Sequence, residues 1–98
     1  MSEIIQGDSG TILEGTVSDD NGIVDIRGCT VTFTIKSSTK RIEKDGMVID
    51  GQNGIVQCVL SSEDVQDIGN YVFQATVKFS NGNQFSSNLN RFKVGAKL

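Results

Sequence analysis

Two stretches of this chain alternate apolar and polar residues with a period of two, and that pattern most constrains the fold. In residues 29–36, Cys29, Val31, Phe33 and Ile35 alternate with Thr30, Thr32, Thr34 and Lys36. In residues 71–79, Tyr71, Phe73, Ala75, Val77 and Phe79 share one parity, and only Val72 is out of step on the other. Successive side chains of a strand point to opposite faces, so each stretch predicts a strand with one buried and one wet face. A helix would smear the same apolar residues around its circumference. The threonines add β-branched stiffness on the wet side.

Turn signals divide the rest of the chain. Asp19-Asp20-Asn21-Gly22, Gly51-Gln52-Asn53-Gly54 and Ser80-Asn81-Gly82-Asn83 each carry an Asn-Gly pair, which accepts positive φ at low cost. The turn at Asn81-Gly82 predicts a hairpin between residues 71–79 and 84–94. In the second arm the apolar set changes parity. Phe85 and Leu89 are odd, whereas Phe92 and Val94 are even. One extra residue near Asn90-Arg91 reconciles them, as a β-bulge or a sheet-switching bend does. Further strands are expected at residues 11–17, with Leu13, Gly15 and Val17 inward, and at 55–60, with Val56, Cys58 and Leu60 inward. Weaker ones are expected at 3–6, 23–26 and 47–50. Residues 61–69 break the pattern: serines, then acids, then a closing glycine predict one short helical turn.

Length and composition bound the rest. The chain has 98 residues, room for one domain over residues 1–98. An apolar fraction of 37% with 21% charged residues suits a folded chain rather than a disordered one. The opening residues do not form a secretory signal, and no apolar run approaches the roughly 20 residues of a membrane helix. The net charge is −3, and the densest basic run, residues 36–44, is interrupted and predicts a solvated loop. Duplex DNA needs convergent phosphate contacts, so neither nucleic acid nor membrane is an expected partner.

The chain has no histidine, no tryptophan and no proline. Without histidine there is no serine–histidine or cysteine–histidine nucleophile pair and no imidazole metal ligand. No catalytic, cofactor or metal residue is assigned, and the chain is expected not to be an enzyme. Cys29 and Cys58 lie on predicted inward faces and are expected as reduced, buried thiols, although one bridge is conceivable. The acids Asp19, Asp20 and Asp25, and separately Glu63, Asp64 and Asp67, lack the spacing of a calcium loop and are expected in turns and at a helix start. Gly7-Asp8-Ser9-Gly10 has no following lysine and reads as a tight turn.

One motif narrows the fold. Asp67-Ile68-Gly69-Asn70-Tyr71 resembles the Asp-x-Gly-x-Tyr of immunoglobulin-like domains, in which a tyrosine hydrogen-bonds back to the preceding corner. Asp67, Gly69 and Tyr71 are therefore the expected structural corner. Phe73 stands where antibody domains place a cysteine. The expected fold is all-β: an immunoglobulin-like antiparallel sandwich of about seven strands with one short helical turn.

The order of motifs resembles the N-terminal immunoglobulin-like domain of the phage baseplate upper protein family. Gly7-Asp8 precedes the first long strand. The run Val24-Asp25-Ile26-Arg27-Gly28-Cys29-Thr30-Val31-Thr32-Phe33-Thr34-Ile35 is similar to that family's Val-Asp-Leu-x-Gly-Ala-x-Val-x-Phe-x-Ile. Gly54-Ile55-Val56, Gly69-Asn70-Tyr71 and Phe92-Lys93-Val94 follow in the family's order. Family members usually continue beyond the point where this chain ends, so it is an excised domain or a stand-alone relative.

The resemblance implies a virion tail protein, made in the bacterial host cytoplasm, that docks other phage tail and baseplate proteins and holds receptor-binding proteins. Alone the domain is expected to be monomeric or weakly self-associating, with a homo-oligomer possible inside the assembly. The segments expected to present pairing edges are residues 3–6 and 41–50. The alternative is a carbohydrate or host-surface binding module of a phage or cell-wall protein. Sugar sites present aromatic faces, and all six aromatics here have a predicted inward position.

Overall fold

The computed structural model describes residues 2–19 and 21–98; for Ser2 it describes the backbone. It is an all-β, immunoglobulin-like sandwich. The strands are β1 (Ser2–Ile5), β2 (Thr11–Thr16), β3 (Ser18–Asp19), β4 (Gly22–Ile23), β5 (Thr30–Lys36), β6 (Arg41–Asp45), β7 (Met47–Asp50), β8 (Ile55–Leu60), β9 (Gly69–Lys78), β10 (Gln84–Ser86) and β11 (Asn90–Gly95). One 3-10 turn, Ser62–Val65, lies between β8 and β9, within the expected helical segment.

The larger sheet runs β1-β11-β9-β5-β6, with β10 also on β9; the smaller runs β2-β8-β7; β3 and β4 form a separate two-stranded ribbon. β9 anchors the larger sheet. It pairs with β5 from Thr30 opposite Lys78 to Lys36 opposite Val72, and with β11 from Asn90 opposite Phe73 to Val94 opposite Gly69. This is the immunoglobulin order: β5, β9 and β11 take the places of strands C, F and G, and β2, β8 and β7 those of B, E and D.

The core lies between the sheets, on the faces that alternation marks. Val31, Phe33 and Ile35 of β5, Tyr71, Phe73, Ala75 and Val77 of β9, and Val56, Cys58 and Leu60 of β8 are buried. Full burial of a side chain such as Phe33 contributes about 1.5–3 kcal/mol. The rings interlock: Tyr71 and Phe92 stack with centroids 4.9 Å apart, and Phe73 lies 5.9 Å from Phe92 and 6.1 Å from Phe33. Aromatic pairs at this separation add to their area burial. Ile26 and Val65 join the core from outside the long strands, and both are fully buried.

The parity change between β10 and β11 has its expected cause. From Ser86 to Asn90 one strand advances four residues, while β9 advances three, from Thr76 to Phe73. The extra residue lies at 87–89, slightly before Asn90-Arg91. Ser87 makes the bulge tolerable. Its N–H donates to the Ala75 carbonyl (2.8 Å), and its Oγ accepts from the Ala75 N–H (3.0 Å). The hydroxyl thus satisfies a backbone donor that the displaced ladder would strand.

Four expectations change. Leu89, read with the inward set, is 58% exposed, because it stands in the bulge. Cys29 is half-buried rather than in the core. It precedes β5, and its N–H is held by the Ile26 carbonyl in a turn (3.1 Å), not by the ladder. Residues 36–44 are loop only at 37–40: β6 pairs with β5 from Lys36 opposite Arg41 to Thr32 opposite Asp45. The strand expected at 23–26 shrinks to Gly22–Ile23, and Ile26 instead donates its N–H to Gly51 (2.9 Å). Asp20 lies outside the described residues, as does Met1.

The hairpin between β9 and β10 turns on Gly82. Its N–H donates to the Phe79 carbonyl (3.0 Å), and φ is 94°, a left-handed conformation that disfavours other residues. This is the three-residue hairpin loop, a type I turn closed by a left-handed glycine.

Candidate docking surface

The sheet ends and their backbone groups form the candidate surface. β1 and β6 terminate the larger sheet; β2 and β7 terminate the smaller. Three of these lie in the segments expected to present edges; β2 does not. Each edge strand carries unpaired backbone groups, which invite another strand unless charge or irregularity discourages it. β6 presents Arg41, Glu43 and Asp45 to solvent, and β7 is interrupted by a register shift between Val48 and Asp50.

Between β1 and β2 the two sheets part. A groove of about 540 Å³ opens there, with Ile4, Leu13 and Phe73 on its floor. These three keep 5–6% exposure, whereas Phe33, Val56 and Val77 keep none. Glu3, Asp8, Glu14 and Arg91 stand at its rim. β2 continues this apolar character onto the outside of the smaller sheet. There Ile12 lies opposite Val59, and Met47 and Ile49 of β7 are also about half exposed. Glu14 is tied across the same face by the Gln57 side-chain amide (2.8 Å).

The corner residues meet closely. The Tyr71 hydroxyl donates to the Asp67 carbonyl at 2.6 Å. Burial, aided by the Asp67 charge, raises the phenol, so it remains a donor near neutrality. Gly69 opens β9 with φ 131°, a conformation that side chains other than glycine rarely adopt, although a Cβ there would meet open space.

The basic hairpin and the acidic turn, separate in sequence, are partners in space. Lys44 Nζ donates to the Asp64 carboxylate, Lys40 Nζ lies 3.8 Å from Asp67, and Thr39 Oγ1 donates to Asp67 (3.4 Å). Asp64 also accepts from the Ser61 N–H (2.7 Å) and hydroxyl (3.1 Å). Burial pushes its carboxyl up, but the bonds from Lys44 and Ser61 outweigh that and hold it below the ordinary value. Of the other acids, Asp19 accepts from the Asn21 N–H (2.8 Å). Asp25 pairs with Arg27 at 2.7 Å, and that side-chain bond holds its carboxyl below the ordinary range. Among the described residues, no group of three His, Cys, Asp or Glu residues is placed to hold a metal ion.

Both cysteines are free. Burial pushes the Cys58 thiol up to about 11, and burial also raises Cys29. Thiols held this way are protonated near neutrality and poor nucleophiles. The aromatics are committed to the interior. Tyr71, Phe33, Phe73 and Phe92 are buried, while Phe79 and Phe85 pack edge to face at 5.9 Å against the core.

Comparison with known proteins agrees with this plan. No curated protein sequence matches the chain. Among solved structures, the N-terminal domain of phage TP901-1 ORF48 is similar with a TM-score of 0.72 and 16% identity, over 96% of this chain and 83% of that one. A putative glycoside hydrolase from Bacteroides vulgatus ATCC 8482 is similar with a TM-score of 0.62 and 12% identity, over 100% of this chain and 17% of that one. At such identities both likenesses concern the fold. The family model of the BppU N-terminal domain matches residues 2–98. The chain therefore belongs to the BppU N-terminal domain family, the N-terminal immunoglobulin-like domain of the phage baseplate upper proteins that its motifs resemble.

Proposed function

We propose that this chain is a non-catalytic structural module of a phage tail baseplate, working as one domain that docks tail and receptor-binding proteins in the virion. The observation that carries the reading is the family match over residues 2–98. The surface supports it. Binding is offered by open strand edges and by the half-exposed Ile12, Met47, Ile49 and Val59, not by a cavity with converging reactive groups. Contacts of this kind are weak singly, and repetition within a tail lets them add through avidity. The Tyr71–Asp67 corner serves as scaffold for those edges. Synthesis in the host cytoplasm and self-association inside the assembly belong to the same reading.

The test is capture of purified tail proteins from the encoding phage by the immobilised domain, run beside a panel of host-wall glycans. Capture of a tail protein without glycan binding is the expected result. Glycan binding without tail-protein capture would instead favour a host-surface module, and catalytic turnover by the domain would overturn both.

A further inference from the structure

We infer that the groove between β1 and β2 is a strand-acceptor site for an extended, basic segment of a partner protein. The inference rests on the docking role proposed above and gives it a place and a chemistry.

The vacancy comes from topology. In immunoglobulin sandwiches the chain's first strand commonly joins the sheet of the second, fourth and fifth strands, beside the second. Here β1 pairs in parallel with β11 of the larger sheet, from Ser2 opposite Phe92 to Ile5 opposite Gly95. β2 is left terminal, and among the described residues no strand takes the first strand's usual place.

The free edge carries usable groups. The Val17 N–H donates to the Gly54 carbonyl (2.8 Å), which sets the phase of the β2–β8 ladder. By alternation, residues 11, 13 and 15 direct their backbone groups to β8, and those of Ile12 and Glu14 face the groove. Val17 bridges to Ser87, which closes the far end. The open length is residues 11–14, roughly 13 Å at ~3.3 Å per residue, enough for a short added strand.

The rim selects the occupant. Three carboxylates, Glu3, Asp8 and Glu14, face one guanidinium, Arg91. An incoming strand alternates its side chains, so one face would set apolar residues over Leu13 and Phe73 while the other carried charge past the rim. Lysine or arginine fits at those positions. A second copy of this chain would bring its own Glu3, Asp8 and Glu14 against the same rim, which disfavours self-pairing.

The test is amide NMR of the domain titrated with two end-blocked hexapeptides, one alternating lysine and valine, the other glutamate and valine. The expected result is saturable shifts at Ile12 and Glu14 with the basic peptide, and binding about tenfold weaker or worse with the acidic one. Ile12→Pro should abolish the shifts, because it deletes a donor from the edge. Should that variant not fold, the surface double variant Asp8→Lys with Glu14→Lys should reverse the peptide preference. Shifts absent at Ile12 and Glu14, equal for both peptides, or produced by self-association without peptide would overturn the inference. Tail-protein capture with a flat titration would leave the docking role standing and remove the groove from it. A positive titration without tail-protein capture would do the reverse.

Discussion

Lys44 on β6 donates to Asp64 in the 3-10 turn, 20 residues later in sequence, and the two side chains are only 23% and 13% exposed. The bond pins an edge strand to the segment that leads into the tyrosine corner. Because the Asp64 carboxyl titrates below its ordinary value in the folded chain, its contribution is complete above about pH 4 and is lost as pH falls through the folded pKa. Thermal melts from pH 7 to 2 should show that loss, and Asp64→Asn should flatten it. In a double-mutant cycle with Lys44→Met, the coupling should be roughly 1–2 kcal/mol, larger than for exposed pairs.

Tyr71→Phe should lower stability by about 1–2 kcal/mol in chemical denaturation, because it leaves the Asp67 carbonyl without its donor. The ring stays stacked on Phe92, so the variant should keep its fold. Tyr71→Ala, which also empties a buried site, should cost about 3–5 kcal/mol. An unchanged denaturation midpoint for Tyr71→Phe would remove the corner from the account of stability.

Reducing agent should leave the melting temperature unchanged, since Cys29 and Cys58 are free. A fall of several degrees would reveal a bridge, which typically contributes about 2–4 kcal/mol. Thiol labelling of the native protein should reach half-buried Cys29 well before Cys58, whose thiol is pushed up to about 11 and is 1% exposed. Cys58 should label at the rate of unfolding.

Gly46 joins β6 in one sheet to β7 in the other, and its N–H donates to the Val31 carbonyl (2.9 Å). A Cβ there would sit 2.8 Å from the Phe33 ring and 2.9 Å from Val31 Cγ1. Gly46→Ala should therefore destabilise by about 1–3 kcal/mol through overpacking. Val31→Ala vacates part of that space, so the two substitutions together should cost less than their separate sum. Additive losses would show that the close approach to Val31 is not what requires the glycine.

Periodicity and turn chemistry are local properties, and they carried most of the fold. The alternation of Val31, Phe33 and Ile35 selects strand over helix because only a period of two puts all three on one side. The Asp67-to-Tyr71 spacing places a phenol within reach of its own preceding corner, four residues back. The parity break between Phe85 and Phe92 encodes the bulge for the same reason. The docking surface was less legible. Which sheet β1 joins depends on competition between distant edges, and nothing within residues 2–5 states that β11 wins over β2. The pairing of the basic hairpin with the acidic turn, and the exposure of Leu89, likewise depend on how strands far apart in sequence are laid side by side. Alternation chooses the face each strand buries; only the closed sandwich decides its neighbours, and so which backbone edge is left open to another chain.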